Sequence, residues 1–286
     1  MSGPFLSRYS ELEAQLGWSA RKLARRKALD ILSRLTSESG RPRIHILYLH
    51  HVLDDEVEGF RHLLNEVSKF ATLISYTEAV SRILRGPIDR PYVAITLDDG
   101  LKSNLMAAAV LEEFGARGCF FVCTDMADDP PDAVAAAFCR DVLRIPHARF
   151  LNWGDMEHLM ARGHEIGNHS AHHHGLASVG AAELEDGIAG SLALLRKRLG
   201  DVNHFAWPYG RLHDISDAAR QVIFAAGHAS CASAIRGAHV IPANTNAENL
   251  CIRRDVVVAG EPVAHNLYFI AKSGARASAT NNDWPR

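Results

Sequence analysis

Tyr92-Val-Ala-Ile-Thr-Leu-Asp-Asp-Gly100 is the stretch that decides how the chain folds. Tyr92–Leu97 is a β-rich run, and it leads without a break into Asp98, Asp99 and Gly100. Within a strand, neighbouring side chains point to opposite faces. At the strand's end, a turn at Gly100 can bring both carboxylates into one pocket, because glycine accepts backbone angles closed to other residues. Two adjacent carboxylates repel, so one of them needs a cation or a proton. A metal ion on Asp99 would leave Asp98 free as a base. The plainer reading is a turn that caps a helix starting near Ser103, since Asp-Asp-Gly is a common turn sequence.

Outward from this run the pattern alternates between strand and helix. Ile44–Leu49 is an apolar run ending in His50-His51. Gly59–Phe70 and Thr77–Leu84 have helical spacing, and Ser103–Phe114 is a third helix with Ser103 as its N-cap. Cys119–Cys123 reads as a strand, and 125–150 as a long excursion rich in Pro, Asp and Ala. Trp153–Ala161 is a helix, His164–Gly167 a short strand and Ala181–Leu199 a long helix. His204–Trp207 is a strand, Asp214–Ala226 a helix and Cys251–Val258 a final strand. Such alternation predicts an α/β fold with parallel strands inside and helices outside. The spacing divides the chain into a helical extension (1–40), a strand–helix barrel (41–272) and a polar, frayed tail (273–286).

Polar motifs fall where strands end, which in a β/α barrel is the catalytic face. His169 and His173, in His169-Ser-Ala-His-His-His174, are four apart and can chelate one ion from a helical turn. His172 and His174 offer rival pairings, and a solvated His-rich loop is the alternative. Pro208-Tyr209-Gly210 ends another strand. Proline fixes φ and glycine allows a tight turn, so the Tyr209 N–H can be aimed into the pocket as an oxyanion donor. Alone the tripeptide is merely a turn. His50, at the end of the first strand, is a candidate general acid.

The remaining features bound the function. A net charge of -2 leaves no overall positive field to recruit nucleic acid. Five cysteines, Cys119, Cys123, Cys139, Cys231 and Cys251, have neither disulfide nor zinc-finger spacing, and they read as core residues of a protein in a reducing compartment. With no apolar segment after Met1 and no run long enough to span a membrane, a cytoplasmic location is expected. Trp18–Leu35 is helical in propensity, with an apolar stripe of Ala24, Ala28, Ile31, Leu32 and Leu35. It is locally basic through Arg21, Lys22, Arg25, Arg26 and Lys27. It suits peripheral contact with an anionic membrane, or docking on its own domain or on a second subunit.

Four segments together resemble the polysaccharide deacetylases, the NodB-homology or carbohydrate esterase 4 family. Thr96-Leu-Asp-Asp-Gly100 is similar to that family's Thr-Phe-Asp-Asp-Gly. Asn168-His-Ser-Ala-His-His173 resembles Asn-His-Thr-x-Thr-His, and Phe205-Ala-Trp-Pro-Tyr-Gly210 resembles Phe-Ala-Tyr-Pro-Tyr-Gly. Ile46-Leu-Tyr-Leu-His50-His-Val52 resembles Leu-x-Tyr-His-x-Val, with Leu49 in place of Tyr. The resemblance implies a distorted (β/α)7 barrel and a divalent metal ion, usually Zn2+. It implies Asp99, His169 and His173 as ligands, Asp98 as base, the Tyr209 N–H as oxyanion donor and His50 as acid. An arginine near the last strand is implied to brace the base, Arg254 in preference to Arg253. His172 stands where the family has Ser or Thr, His174 where Pro is frequent, and Ala206 where some members have Arg.

The implied reaction is removal of an acetyl or formyl group from an amino sugar, and a cytoplasmic site points to a sugar-nucleotide or lipid-linked precursor of O-antigen, capsule or exopolysaccharide. Two alternatives keep the fold: a ureide or cyclic-imide hydrolase, and a carbohydrate-binding member without catalysis.

Overall fold

The structure is a computed structural model that describes residues 5–17, 19–35 and 40–285; residues 1–4, 18, 36–39 and 286 lie outside the described residues. Eight parallel strands form one curled sheet: β1 (Arg43–Leu49), β2 (Thr72–Leu73), β3 (Pro91–Leu97), β4 (Gly118–Val122), β5 (Glu165–Asn168), β6 (His204–Ala206), β7 (Ser230–Ala232) and β8 (Asp255–Val256). Seven run in the order β7-β6-β5-β4-β3-β1-β8, and β2 pairs with β3 beside that path. The outer edges meet at a seam. Ala232 bridges Ile252, the Ser233 N–H donates to the Ile252 carbonyl at 2.8 Å, and the Arg254 N–H donates to that of Ile235 at 3.0 Å. With helices around it, this is a distorted (β/α)7 barrel, as expected.

Alternation along the strands divides the core. Ile44 and Ile46 of β1, Tyr92 and Ala94 of β3, and Cys119 and Phe121 of β4 fill the barrel interior. Leu47, Leu49, Val93, Ile95, Leu97, Phe120 and Val122 face the helices. Strands buried on both faces explain the unbroken apolar runs. The same alternation sends Tyr48, Thr96 and Asp98 inward, all of them buried. Register then sets the site: Leu49 pairs with Leu97 and Val122 with Asn168, so His50, Asp98 and His169 emerge at one end of the barrel.

Several elements differ from expectation. β2 and β7 were not anticipated, since they are only two and three residues long and too short to show a strand period. Cys251–Val258 contributes a ladder only at Asp255–Val256, because the residues before it form the seam. Ser103 begins the Asn104–Glu113 helix but does not cap it with its side chain. Ala181–Leu199 is helical but widens over Glu185–Gly190. There the Gly187 carbonyl accepts from the Ala171 N–H at 2.9 Å and the Ile188 carbonyl from Asn168 Nδ2 at 3.1 Å. Widened turns of this kind recur at functional sites, and this one supports the loop that carries His169.

The described segments nearest the two termini pack on the barrel. Leu6 and Leu12 are buried, and the N–H groups of Tyr9 and Ser10 are held by the Asp55 carboxylate at 2.6 and 3.2 Å. In the stretch read as a polar tail, Asn282 is buried and accepts from His239 Nδ1 at 2.7 Å, while Trp284 stacks on Trp207 at 5.5 Å.

Candidate active site

A cavity of about 380 Å³ opens at the end of the barrel where the polar motifs emerge, and Asp98, Asp99, His50, His169, His173, Tyr209 and Arg254 all line it. The structure thus brings together every residue named from the sequence for the site.

Asp99, His169 and His173 form one buried cluster whose ligand atoms lie within 4.8 Å of one another. His169 Nε2 and His173 Nε2 stand 3.5 and 3.3 Å from the same oxygen, Asp99 Oδ1. That oxygen is buried and accepts no hydrogen bond among the described residues. Three donors at about 2.1 Å from one tetrahedral ion are about 3.4 Å apart, so the cluster has the spacing of a metal site. The tautomer fits too. His169 Nδ1–H donates to the Ala206 carbonyl at 2.7 Å, leaving Nε2 as a lone pair facing Asp99. The His173 ring is held by packing, edge-on to Tyr209 at 4.8 Å. Burial raises the Asp99 carboxyl, and the facing imidazoles, when protonated at Nε2 in place of a bound cation, more than reverse this and hold Asp99 well below the ordinary range.

The rival histidines turn away. His172 Nδ1 meets Asp125 at 2.6 Å and its Nε2 meets Asp186 at 3.3 Å; His174 Nδ1 meets Glu183 at 2.5 Å.

Asp98 is gripped by Arg254, whose Nη1 and Nη2 donate to its two oxygens at 2.7 and 2.8 Å. Arg254 is itself fixed by the Ser233 carbonyl at 2.7 Å and by Thr96 Oγ1 at 3.1 Å. It also lies over the Tyr48 ring at 4.6 Å. Bidentate, stacked and buried, this guanidinium has every part of its plane engaged. Burial pushes Asp98 up, and Arg254 more than reverses it, so Asp98 stays ionised at neutral pH. Arg253 instead donates to the Asn281 carbonyl at 2.9 Å.

His50 and His51 differ in the same way. His51 is tied to Glu56 at 2.7 Å, whereas the His50 ring is open to the cavity. Burial among surrounding atoms lowers the His50 pKa, while Asp99 and Asp98 pull it upward. Tyr209 sits at φ 62 and Gly210 at φ 70. A Cβ on Gly210 would come within 2.4 Å of Ala234, so only glycine fits there. Among the described residues the Tyr209 N–H has no protein acceptor, which leaves it available to a ligand.

The polysaccharide deacetylase family model matches residues 85–230, just over half of the chain. The chain belongs to the polysaccharide deacetylase family. No curated protein matches it. Among solved structures it is similar to IcaB from Ammonifex degensii, at 17% identity and TM-score 0.64 over 81% of this chain and 100% of that one. The BpsB deacetylase domain from Bordetella bronchiseptica gives 19% and 0.61 over 77% and 98%. PplD from Streptococcus pyogenes, a deacetylase in complex with acetate, gives 16% and 0.59 over 81% and 98%. At these identities the likeness establishes the fold.

Sequence reading missed other walls of this deacetylase-family cavity. Tyr9 and Leu12 arrive from the N-terminal segment, and Val142–Ile145 from the excursion. Trp207 also lines it. Trp207 lies within the Phe205–Gly210 motif, but no motif marks the others; only the strand alternation could have placed Tyr48 and Thr96 inward.

Proposed function

We propose that the chain is a metal-dependent amide hydrolase that removes an acetyl or formyl group from an amino sugar, in a precursor of a bacterial surface polysaccharide. One observation carries the reading: a buried, unpartnered Asp99 oxygen flanked by two Nε2 atoms, beside an Asp98 held ionised by Arg254.

Asp99, His169 and His173 would hold the cation, with zinc foremost for one carboxylate and two imidazoles. A divalent ion there would supply Lewis-acid chemistry, acidifying water to a pKa of about 7 and polarising the acyl oxygen. Asp98 takes the proton of the attacking water, and Arg254 keeps the carboxylate aimed while it does so. The Tyr209 N–H donates to the developing oxyanion, a contact of the kind whose loss costs about 3 kcal/mol. His50 delivers a proton to the leaving amine. Products are the free amino sugar and acetate or formate. A precursor suits a cavity walled by Tyr9, Leu12 and Val142–Ile145.

The test is metal analysis combined with release of acetate or formate from N-acyl amino sugars. Asp99→Ala and His173→Ala are expected to lose both metal and activity. Unchanged metal content and turnover in either variant would overturn the assignment, as would hydrolysis of ureides with no action on acyl sugars.

A further inference from the structure

Helix Ala20–Leu32 has no buried side chain. It lies along helix Val263–Ala275, where His265 Nε2 meets Asp30 at 2.8 Å and Arg25 lies over the Phe269 ring at 6.0 Å. Its polarity is turned around. Leu23, Ile31 and Leu32 are 50%, 63% and 41% exposed, and Ala24 and Ala28 are exposed with them. Lys22, Arg25 and Arg26, which share a face by helical spacing, line a second cavity of about 280 Å³ together with Arg236. An ordinary surface helix presents apolar residues to its own domain and charges to water.

The second cavity shares Tyr9 and Val258 with the catalytic one, so one layer of side chains separates them. Its four cations face two carboxylates, Glu13 and Glu261, and Glu261 accepts from the Tyr9 hydroxyl at 3.4 Å. Arg236 pairs with Asp255 at 3.3 Å. Lys22 Nζ donates to the Gly17 carbonyl at 3.0 Å. Arg25 makes no ion pair among the described residues and keeps its guanidinium edge for a ligand. A concave, cationic surface beside a sugar-sized site is complementary to phosphate. The outer face carries Leu23, Ala24, Ala28, Ile31 and Leu32 with the exposed Lys27 between Leu23 and Ile31, and such a mixed apolar and cationic face suits the headgroup boundary of a bilayer.

We propose that this second cavity binds the phosphate or diphosphate through which a membrane lipid carries the acyl sugar, with the Leu23–Ile31 face of the helix in the bilayer. The sugar end of this assignment rests on the deacetylase reading above; the phosphate and membrane contacts do not. A soluble sugar nucleotide would satisfy the cations but leave the apolar face in water. A second copy of the chain would cover that face but leave the cavity unfilled.

The test is co-sedimentation of the full chain with phosphatidylcholine vesicles, with and without a minor fraction of a polyprenyl phosphate. It is paired with calorimetric titration of inorganic pyrophosphate and of a sugar nucleotide, and with sedimentation velocity for oligomeric state. The wild type is expected to prefer the polyprenyl-phosphate vesicles by roughly tenfold. Lys22→Glu with Arg25→Glu should abolish that preference and weaken pyrophosphate binding. Leu23→Asp with Ile31→Asp should lose the vesicles yet keep pyrophosphate. Both pairs leave the catalytic residues in place, and unchanged unfolding midpoints would show that they fold. No preference in the wild type, or one that survives Lys22→Glu with Arg25→Glu, would overturn the proposal. So would nucleotide binding without vesicle binding, or a dimer that Leu23→Asp with Ile31→Asp dissolves while vesicle binding persists. Because no arm reads hydrolysis, a failed deacetylase assay and a failed phosphate site remain separate results.

Discussion

Asp99, Ser170, His173 and Tyr209 hold φ values of 69, 65, 56 and 62, all in the left-handed region. Each such residue costs roughly 1–3 kcal/mol; Asp99, His173 and Tyr209 line the cavity, and Ser170 lies in the loop between the two ligand histidines. For Tyr209 this backbone leaves the N–H without a protein acceptor among the described residues, while the ring packs against His173 at 4.8 Å. Tyr209→Ala, with the same backbone preference, is therefore expected to keep kcat within a few-fold, and any loss should fall on KM through the missing ring. A collapse of kcat would assign the chemistry to the side chain instead. Asp98 and Arg254 make a sharper case. Arg254 lowers the Asp98 pKa against the pull of burial, so the acid limb of the activity profile lies at low pH in the wild type. Arg254→Lys cannot make both hydrogen bonds, and that limb should move up by about one unit. Arg254→Ala leaves a buried carboxylate uncompensated, at a cost of about 3–5 kcal/mol. In the wild type the depressed pKa contributes stability above the unfolded value of about 3.9 and loses it as the pH falls through the folded one. In Arg254→Ala the Asp98 pKa rises above the unfolded value. The deficit should then be largest at neutral pH and shrink on acidification, as urea midpoints at the two pH values would show.

At the scale of elements, a hydrogen-bond network behind β5 places the histidines. Asn168 Oδ1 accepts from the Ser170 N–H at 2.9 Å and from Ser191 Oγ at 2.8 Å, while Nδ2 donates to the Ile188 carbonyl at 3.1 Å. Strand end, His loop and widened helix meet at one amide. Asn168→Ala would strand several buried polar groups at about 1–3 kcal/mol each and loosen the ligand set, so metal affinity is expected to fall roughly 10–100-fold. Competition with a chelator measures this, and unchanged affinity would limit Asn168 to a folding role. This network also marks how far the sequence could be read. Asp98, Asp99, His169 and His50 were legible because they follow strand ends that register groups, and His173 because it stands four residues after His169. Ser230-Cys-Ala232 was not legible as a strand, since three small residues carry no periodicity and gain their ladder from β6. The bracing of Asp98 was legible only through resemblance. It depends on the seam, where Arg254 enters the barrel interior and Arg253 faces out to Asn281, and no local pattern separates the two.

At the scale of the whole molecule, the described N- and C-terminal segments both reach the catalytic end of the barrel. Tyr9 and Leu12 wall the cavity from one side. From the other, the last residues clamp the seam through which the sheet closes. The Cys251 N–H donates to the Asn282 carbonyl at 3.0 Å, one residue from the Ala232–Ile252 bridge. Asn282 Nδ2 donates to the Ile241 carbonyl at 3.0 Å, and Trp284 Nε1 to that of Glu248 at 2.9 Å. The stacked Trp284 covers Trp207, which is fully buried and also lines the cavity. The seam holds only a short run of main-chain pairing, from Cys231–Ile252 to Ile235–Arg254, so contacts that pin Cys251 act on Arg254 as well as on stability. Deleting residues 279–286 is expected to uncover Trp207 and free the Cys251 N–H, lowering stability by about 2–5 kcal/mol, the scale of losing a large buried aromatic contact. Because Arg254 lies three residues beyond Cys251, the truncated chain should also lose grip on Asp98, and its acid limb should shift in the direction of Arg254→Lys. Trp284→Ala separates the two effects: it removes the stack but keeps Asn282, so it should lower the unfolding midpoint while leaving the pH profile in place. A truncation that unfolds at the wild-type urea concentration would mean that the barrel closes without its C-terminal clamp.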